Sequence, residues 1–186
     1  MTHATPAPAS SVPAYTLAAR VLHGLTAALV LIMIPLGFVI AHEWGGPLQE
    51  RFYDLHKSIG AVILPLVVAQ LIYRLMHPPL PLPADISTLQ QFAAHAVQWT
   101  LYALLIAQGL IGWIATSAYP AALPVFGLFE LPKIWRADQP FAERLFAVHR
   151  WLGIAIGFVA AMHVGAALQH HFLRKDRVLM RMVTGG

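Results

Sequence analysis

The sequence predicts an all-α integral membrane protein, a single bundle of four transmembrane helices. Hydrophobic residues make up 58% of the 186 residues and charged residues only 11%, and the mean hydropathy is +0.65. Average soluble domains carry about 25% charged residues. No Lys, Arg, Asp or Glu occurs in residues 21–42, 58–73, 86–129 and 151–173. Because one span needs about 20 mostly apolar residues, four helices account for this pattern.

The limits of the spans follow from prolines and flanking charges. We expect helices near residues 17–40, 56–76, 92–118 and 143–172, since Pro120 and Pro124 end the span within the third charge-free stretch. The transmembrane domain is then residues 15–182, with a short C-terminal tail at 183–186. Residues 1–14 are rich in Pro, Ala and Ser and lack the positive start of a secretory signal, so they predict a disordered tail.

The basic residues indicate an orientation in the membrane. With the N-terminus inside, each side carries six Lys or Arg residues, so their count alone decides nothing. The basic cluster within residues 174–181 directly follows a span and favours a cytoplasmic C-terminus. An even number of spans then places both termini in the cytoplasm. The net charge of +4 and the pI near 9.8 reflect membrane-flanking loops, and nucleic acid is not an expected partner.

Histidines within or at the ends of the spans are the most informative residues. A polar, metal-binding side chain in hydrocarbon is costly and calls for a functional explanation. His149 and His163 are 14 residues apart, which is about four helical turns and 21 Å, so both project from one face of the fourth helix. Matching depths predict two pairs, His23 with His163 at the inner side and His56 with His149 at the outer side.

Each pair suits the iron of a b-type haem, because neutral imidazole is a good ligand for haem iron. Covalent c-type attachment needs Cys-x-x-Cys-His, and the chain has no cysteine. The expected architecture is therefore a four-helix bundle that encloses two haems held without covalent bonds. Cysteine-ligated iron–sulfur clusters are excluded for the same reason, and no catalytic residue is assigned.

Further residues near the histidines are candidates for contact with haem. Gly60 and Gly153 follow the outer histidines by one turn and leave room for a porphyrin edge. Lys57, Arg150 and Arg20 are bases that haem propionates can pair with: the first two directly follow the outer histidines, and Arg20 lies about one turn before His23.

Plainer interpretations stay open at this stage. A lone histidine in a span is as often a hydrogen-bonded packing residue as a ligand, and His42 is a substitute for an outer ligand. The outer bases are alternatively solvated loop charges. His170, His171 and Lys175 are candidates for binding a quinone beside the inner pair, or else contacts of lipid headgroups.

The chain resembles the bacterial cytochrome b561 family from about Tyr15 to Met182. The resemblance rests on six segments: Arg20-x-x-His23, Leu55-His56-Lys57-Ser58-Ile59-Gly60, His95 with Leu101-Tyr102, His149 with Leu152-Gly153, Met162-His163 with Ala166-Ala167-Leu168, and the run from His170 to Met182. It implies two b-type haems with the same ligand pairs. It also implies a bacterial inner membrane location, a cytoplasmic N-terminus, and electron transfer between a periplasmic donor and ubiquinone.

The resemblance leaves alternative functions. One branch of the family is a superoxide:ubiquinone oxidoreductase, so the first expectation is oxidation of superoxide at the periplasmic side and reduction of ubiquinone in the membrane. The alternative is a dihaem membrane anchor that passes electrons from a soluble dehydrogenase or hydrogenase subunit to quinone. A haem-free transporter or scaffold is the third.

Overall fold

The computed structural model describes residues 14–42, 45–83 and 85–185. Its long helices are α1 (Leu17–Ile40), α2 (Gly46–Met76), α3 (Thr88–Ala118) and α4 (Gln139–Gln169). A short hairpin of β1 (Pro124–Val125) and β2 (Phe129–Glu130) lies between α3 and α4. A π-helical turn, His170–Arg174, extends α4, and a short helix α5 (Val178–Val183) follows.

The four long helices are long and apolar enough to cross a membrane. Large apolar side chains such as Leu31, Phe158 and Leu173 are more than half exposed, as expected for surfaces that face lipid. A smaller core packs around Val67, which is fully buried, together with Ile63 and Ile156. The sequence prediction of an all-α membrane bundle is therefore confirmed.

Helix α1 has the predicted limits, but the other three begin earlier than predicted. Helix α2 starts at Gly46, ten residues before residue 56, and the φ angles of Gly45 and Gly46, 75° and 81°, suit glycine. Its first turns are polar, so the apolar pattern did not reveal them. Helices α3 and α4 each start four residues early, at a cap formed by Ser87 in the first case and by Asp138 in the second.

Those two caps have clear hydrogen bonds. The Ser87 hydroxyl accepts from the amide of Gln90, and the Gln90 side chain accepts from the amide of Ser87, which is a capping box. The Asp138 carboxylate accepts from the amide of Phe141. The same residue types were present in the sequence as start signals.

Neighbouring helices in sequence are neighbours in space. Helix α1 packs on α2, α2 on α3, and α3 most closely on α4, while α1 and α4 touch only lightly. The backbones of α2 and α4 do not approach each other closely in the described part of the chain, as expected for helices on a diagonal of a four-helix bundle. Their side chains meet in the interior of the bundle, where His56 faces His149.

The segment between α3 and α4 folds over one end of the bundle, which we call the outer end. Ser58 ties it to α2: its hydroxyl donates to the carbonyl of Pro124 and accepts from the amide of Phe126. The indole of Trp113 in α3 donates to the carbonyl of Pro132. The hairpin is thus anchored by hydrogen bonds to two of the helices that it covers.

Both ends of the described chain lie at the opposite, inner end. The amide of Tyr15 donates to the carbonyl of Arg181, and the guanidinium of Arg20 donates to the carbonyl of Val183. Of the predicted N-terminal tail 1–14, all but Ala14 lies outside the described residues. The predicted tail at 183–186 begins with Val183, which is the last residue of α5.

A polar cluster holds the turn that links α4 to α5. Nδ1 of His170 lies 2.6 Å from a carboxylate oxygen of Asp176, and Arg174 contacts both Asp176 and Asp85. Burial raises the pKa of Asp176, but hydrogen bonds from His170, from the Val178 amide and from Arg174 outweigh it and hold this pKa below the ordinary 3.8.

We expect the C-terminal segment to loosen in acid. Because the folded-state pKa of Asp176 is lowered, its stabilising contribution is complete above its ordinary pKa and is lost as the pH falls below about 4, through the folded-state value. The amide protection factors of residues 178–183, which correct for the intrinsic pH dependence of exchange, should therefore fall in acid, and Asp176→Asn should lower them at neutral pH. Glu130→Gln, at the outer end, is the matched control. Unchanged exchange in Asp176→Asn would contradict the role of this cluster.

We also expect both termini to lie in the cytoplasm. A fluorescent protein fused after Gly186 should be fluorescent, and alkaline phosphatase inserted after Leu128 in the hairpin should be active, because that enzyme matures only in the periplasm. The reverse pair of fusions is the control and should be inactive. Phosphatase activity at the C-terminus would overturn this orientation.

Candidate haem sites

Two histidine pairs lie inside the bundle, one toward each end. At the inner end His23 of α1 faces His163 of α4, with ring centres 6.1 Å apart and ring planes at 70°. At the outer end His56 of α2 faces His149 of α4, with ring centres 6.0 Å apart and planes at 71°. These are the two pairs that the sequence predicted from depth.

The spacing within each pair suits a metal ion between two imidazoles. An iron bonded to both rings at about 2 Å, the usual metal–imidazole length in proteins, would hold their centres roughly 6 Å apart. No hydrogen bond joins the rings of either pair among the described residues, so direct contact does not explain the approach.

The number of ligands also suits haem rather than a bare ion. In the described part of the chain, no group of three or more His, Asp or Glu side chains is placed to hold a metal. A porphyrin supplies four ligands to its iron and needs only two from the protein. The outer pair joins α2 and α4 across the interior of the bundle, where a flat macrocycle would lie between the two helices.

Two glycines of neighbouring helices lie against the outer histidines. A Cβ atom at Gly37 of α1 would lie 3.7 Å from Cε1 of His56. A Cβ atom at Gly112 of α3 would lie only 3.0 Å from Cε1 of His149. Neither glycine was among the predicted site residues, because each is far from its histidine in the chain. A similar depth in the membrane is the one signal that the sequence carries, and it does not show which ring a glycine faces.

The glycines that the sequence singled out have other neighbours. A Cβ at Gly60 would meet the Met33 side chain at 3.8 Å, and one at Gly153 would meet Nε2 of Gln108 at 3.3 Å. Their contact with a porphyrin edge stays a prediction.

The buried ring nitrogens of the outer pair add a further observation. Nδ1 of His56 and Nδ1 of His149 are both buried without a complete hydrogen bond. When Nε2 of a histidine binds a metal, Nδ1 carries the proton and usually donates it to a carbonyl or carboxylate. Each of these nitrogens would therefore need a hydrogen-bond acceptor from a neighbouring helix when its ring binds a metal through Nε2.

The three predicted propionate partners differ in their surroundings. Lys57 forms an ion pair with Asp54 at 2.7 Å and donates to the carbonyl of Ala122. Arg150 is exposed and forms no ion pair with a described residue. Arg20 donates to Val183, and its Nε is buried without a partner. Binding of propionates by these bases stays a prediction.

The predicted quinone residues are at the inner end. His170 is held by Asp176, the ring of His171 lies against Phe172, and Lys175 is exposed with a φ angle of 55°. They occupy one turn at the end of α4, but nothing in this arrangement tests their role.

A helical membrane bundle with paired imidazoles inside it has the architecture of a membrane-bound b-type cytochrome. Residues 14–185 match the family model for prokaryotic cytochrome b561, and the chain belongs to that family. The family implies b-type haem and membrane electron transfer.

Curated relatives agree with this assignment. The chain is 32% identical to cytochrome b561 homolog 2 of Escherichia coli (strain K12) over 171 residues, which is 91% of this chain and 90% of the relative. It is 33% identical to the probable superoxide oxidase CybB of Yersinia pestis over 129 residues, 69% of this chain and 73% of the relative. It is 29% identical to cytochrome b561 homolog 1 of Escherichia coli (strain K12), over 70% of this chain and 73% of the relative.

We expect the purified protein to contain two haems per chain. His56→Ala or His149→Ala should remove the outer haem and His23→Ala or His163→Ala the inner one, because each iron would lose an axial ligand. Haem per polypeptide, measured as the pyridine haemochrome, should fall by about half. His42→Ala is the control, since its ring bonds to the carbonyl of Phe38. Loss of a haem in His42→Ala but not in His56→Ala would refute the outer assignment.

Proposed function

We propose that this cytochrome carries electrons across the bacterial inner membrane through two b-type haems. His23 and His163 would hold the inner haem, and His56 and His149 the outer one. The observation that carries the proposal is the presence of two imidazole pairs, each with ring centres about 6 Å apart, toward opposite ends of the bundle.

In this chemistry the protein binds the two haems and orients them. Bound haem supplies a reversible one-electron couple. The four histidines fix its position, and the apolar helices around them exclude water and provide a low dielectric. Because both α4 histidines lie on one rigid helix, the depth of one site is fixed relative to the other at about 21 Å along the helix axis.

The substrates that best fit this arrangement are superoxide at the outer end and ubiquinone within the membrane. Two superoxide anions would each give up one electron and leave as oxygen, while one ubiquinone would take those two electrons and two protons to become ubiquinol. The support is the similarity to a probable superoxide oxidase together with basic residues beside the outer pair. His170, His171 and Lys175 are the proposed donors of hydrogen bonds to the quinone carbonyls.

Outer-end charge would attract the small anion before it reacts. Long-range attraction raises association rates and weakens as salt screens it over roughly 10 Å at 0.1 M. Asp54 already neutralises Lys57, whereas Arg150 is exposed without an acidic partner. Arg150 is therefore the stronger candidate for steering.

A second candidate function is a membrane anchor for a soluble redox subunit. The observation in its favour is the apolar tip of the outer hairpin, where Leu128 is 81% exposed and Phe129 57% exposed. This surface suits either a docked protein or the lipid headgroup layer. Copurification of a soluble dehydrogenase or hydrogenase, and no haem reduction by superoxide, would favour the anchor.

We expect Arg150→Gln to slow haem reduction by superoxide roughly threefold at low salt and to flatten its salt dependence. A superoxide pulse followed by stopped-flow absorbance of the purified protein measures this. Lys57→Gln should have a smaller effect because of Asp54. Arg177→Gln, the same loss of charge at the inner end, is the control, and quinol-driven reduction should be unchanged in each.

Two outcomes would count against steering by these bases. An unchanged rate of haem reduction by superoxide in Arg150→Gln, with both haems present, would contradict steering by Arg150. A shift in the outer-haem spectrum with an intact salt dependence would instead assign Arg150 or Lys57 to a haem propionate.

A further inference from the structure

Helices α3 and α4 form a reciprocal contact beside the outer histidine pair. His149 of α4 lies against Gly112 of α3, and Gln108 of α3 lies against Gly153 of α4. The two residues on each helix are four apart, which is about one turn, so each helix presents a polar side chain next to a glycine. Since α3 and α4 run antiparallel, the polar side chain of each helix lies against the glycine of the other.

The contact on His149 is close enough to determine where the ring sits. A Cβ at Gly112 would lie 3.0 Å from Cε1 and 3.3 Å from Nδ1 of His149, but 3.9 Å from Nε2. The ring therefore turns its Nδ1 edge toward α3 and keeps Nε2 farther away. A methyl group at residue 112 would require the ring to shift by a few tenths of an ångström from this position, which we call its seat.

The seat also offers an acceptor for the ring. The backbone of Gln108, one turn before Gly112, is near His149, whereas Nδ1 of His149 is buried and has no hydrogen-bond partner among the described residues. The Gln108 carbonyl is therefore the acceptor that α3 offers to this nitrogen. Metal-bound histidines usually donate their free N–H to such a carbonyl, which fixes the tautomer and increases the basicity of the ligand.

We propose that Gly112 and the backbone carbonyl of Gln108 are positioning groups for His149. Gly112 lets the ring approach, and the carbonyl accepts the Nδ1 proton, so Nε2 is the nitrogen presented to the outer iron. The more basic ligand stabilises the oxidised iron and lowers the potential of the outer haem. This inference rests on the proposed ligation of the outer haem by His149.

The main test is Gly112→Ala, with the potential of each haem measured by spectroelectrochemical titration. We expect the outer potential to rise enough to change the ratio of reduced to oxidised haem about tenfold, which is about 59 mV for one electron. The inner potential should not change. An outer potential equal to that of the wild type, with both haems bound, would overturn the inference.

Two glycine variants serve as matched controls. Gly109→Ala lies almost one turn away on α3, and its Cβ would meet Leu64 at 3.0 Å, so it disturbs packing as severely without touching the histidine. Gly165→Ala adds a methyl group where nothing lies within 4 Å. Neither should shift the outer potential. A shift in Gly109→Ala as large as that in Gly112→Ala would show a general packing effect and overturn the positioning role.

Infrared difference spectra of the wild-type protein provide a test that does not need a variant at Gly112. Glutamine labelled with carbon-13 at the backbone carbonyl should give an isotope-sensitive band when the haems are reduced, because the strength of the hydrogen bond follows the charge on iron. Gln108→Met keeps the carbonyl but removes its label, so the band should disappear. Absence of any such band would refute the carbonyl's role.

The His149→Ala variant separates failure of this inference from failure of the proposed function. If both haems remain bound in His149→Ala, the proposed ligation itself is wrong. If the outer haem is lost in His149→Ala but its potential is unaffected by Gly112→Ala, the ligation stands and only the positioning role fails.

Discussion

The cost of placing imidazole rings in hydrocarbon is the constraint on which the rest of this bundle depends. A buried ring with an unpaired nitrogen is unfavourable, and a membrane offers no water to relieve it. The four histidines meet in pairs, but the rings in each pair do not bond to one another. The backbones of the helices that bring them together do not pack closely: α1 touches α4 lightly, and α2 meets α4 through side chains. An arrangement of this kind is stable when a shared group fills the space between the rings.

Helix α3 shows how a helix without a ligand can still determine the site. It packs most closely on α4, the helix that contributes a histidine to each pair, and it carries the glycine seat of His149. On the other side, Gly37 of α1 lies against His56. Each outer histidine is thus supported by a helix adjacent to its own. Substitutions at Gly37 and Gly112 are therefore expected to alter the surroundings of the outer histidines, although both glycines are far from those histidines in the sequence.

Depth along a span could be predicted from the sequence, whereas contacts between spans could not. The spacing of His149 and His163 on one face, with single histidines near opposite ends of α1 and α2, was enough to predict which rings meet. The early start of α3 depends on the capping pair Ser87 and Gln90, which the apolar pattern does not include. Gly37 and Gly112 were not predictable, because their role depends on how the helices are rotated about their axes. The ion pair of Lys57 with Asp54 likewise depends on side-chain geometry.

The two ends of the bundle are closed in different ways, and this bears on what can reach each pair. At the outer end the main chain of a hairpin is tied by two hydrogen bonds to the hydroxyl of Ser58, two residues after His56. At the inner end the links are to the chain's own C-terminal segment, through Arg20 and through the cluster around Asp176. A small anion needs only an exposed edge near the outer pair, whereas a protein donor needs a docking surface. The outer end offers two different surfaces for these donors: exposed Arg150 is the cationic group that a small anion would meet, and the apolar hairpin tip is the surface that a protein donor would bind.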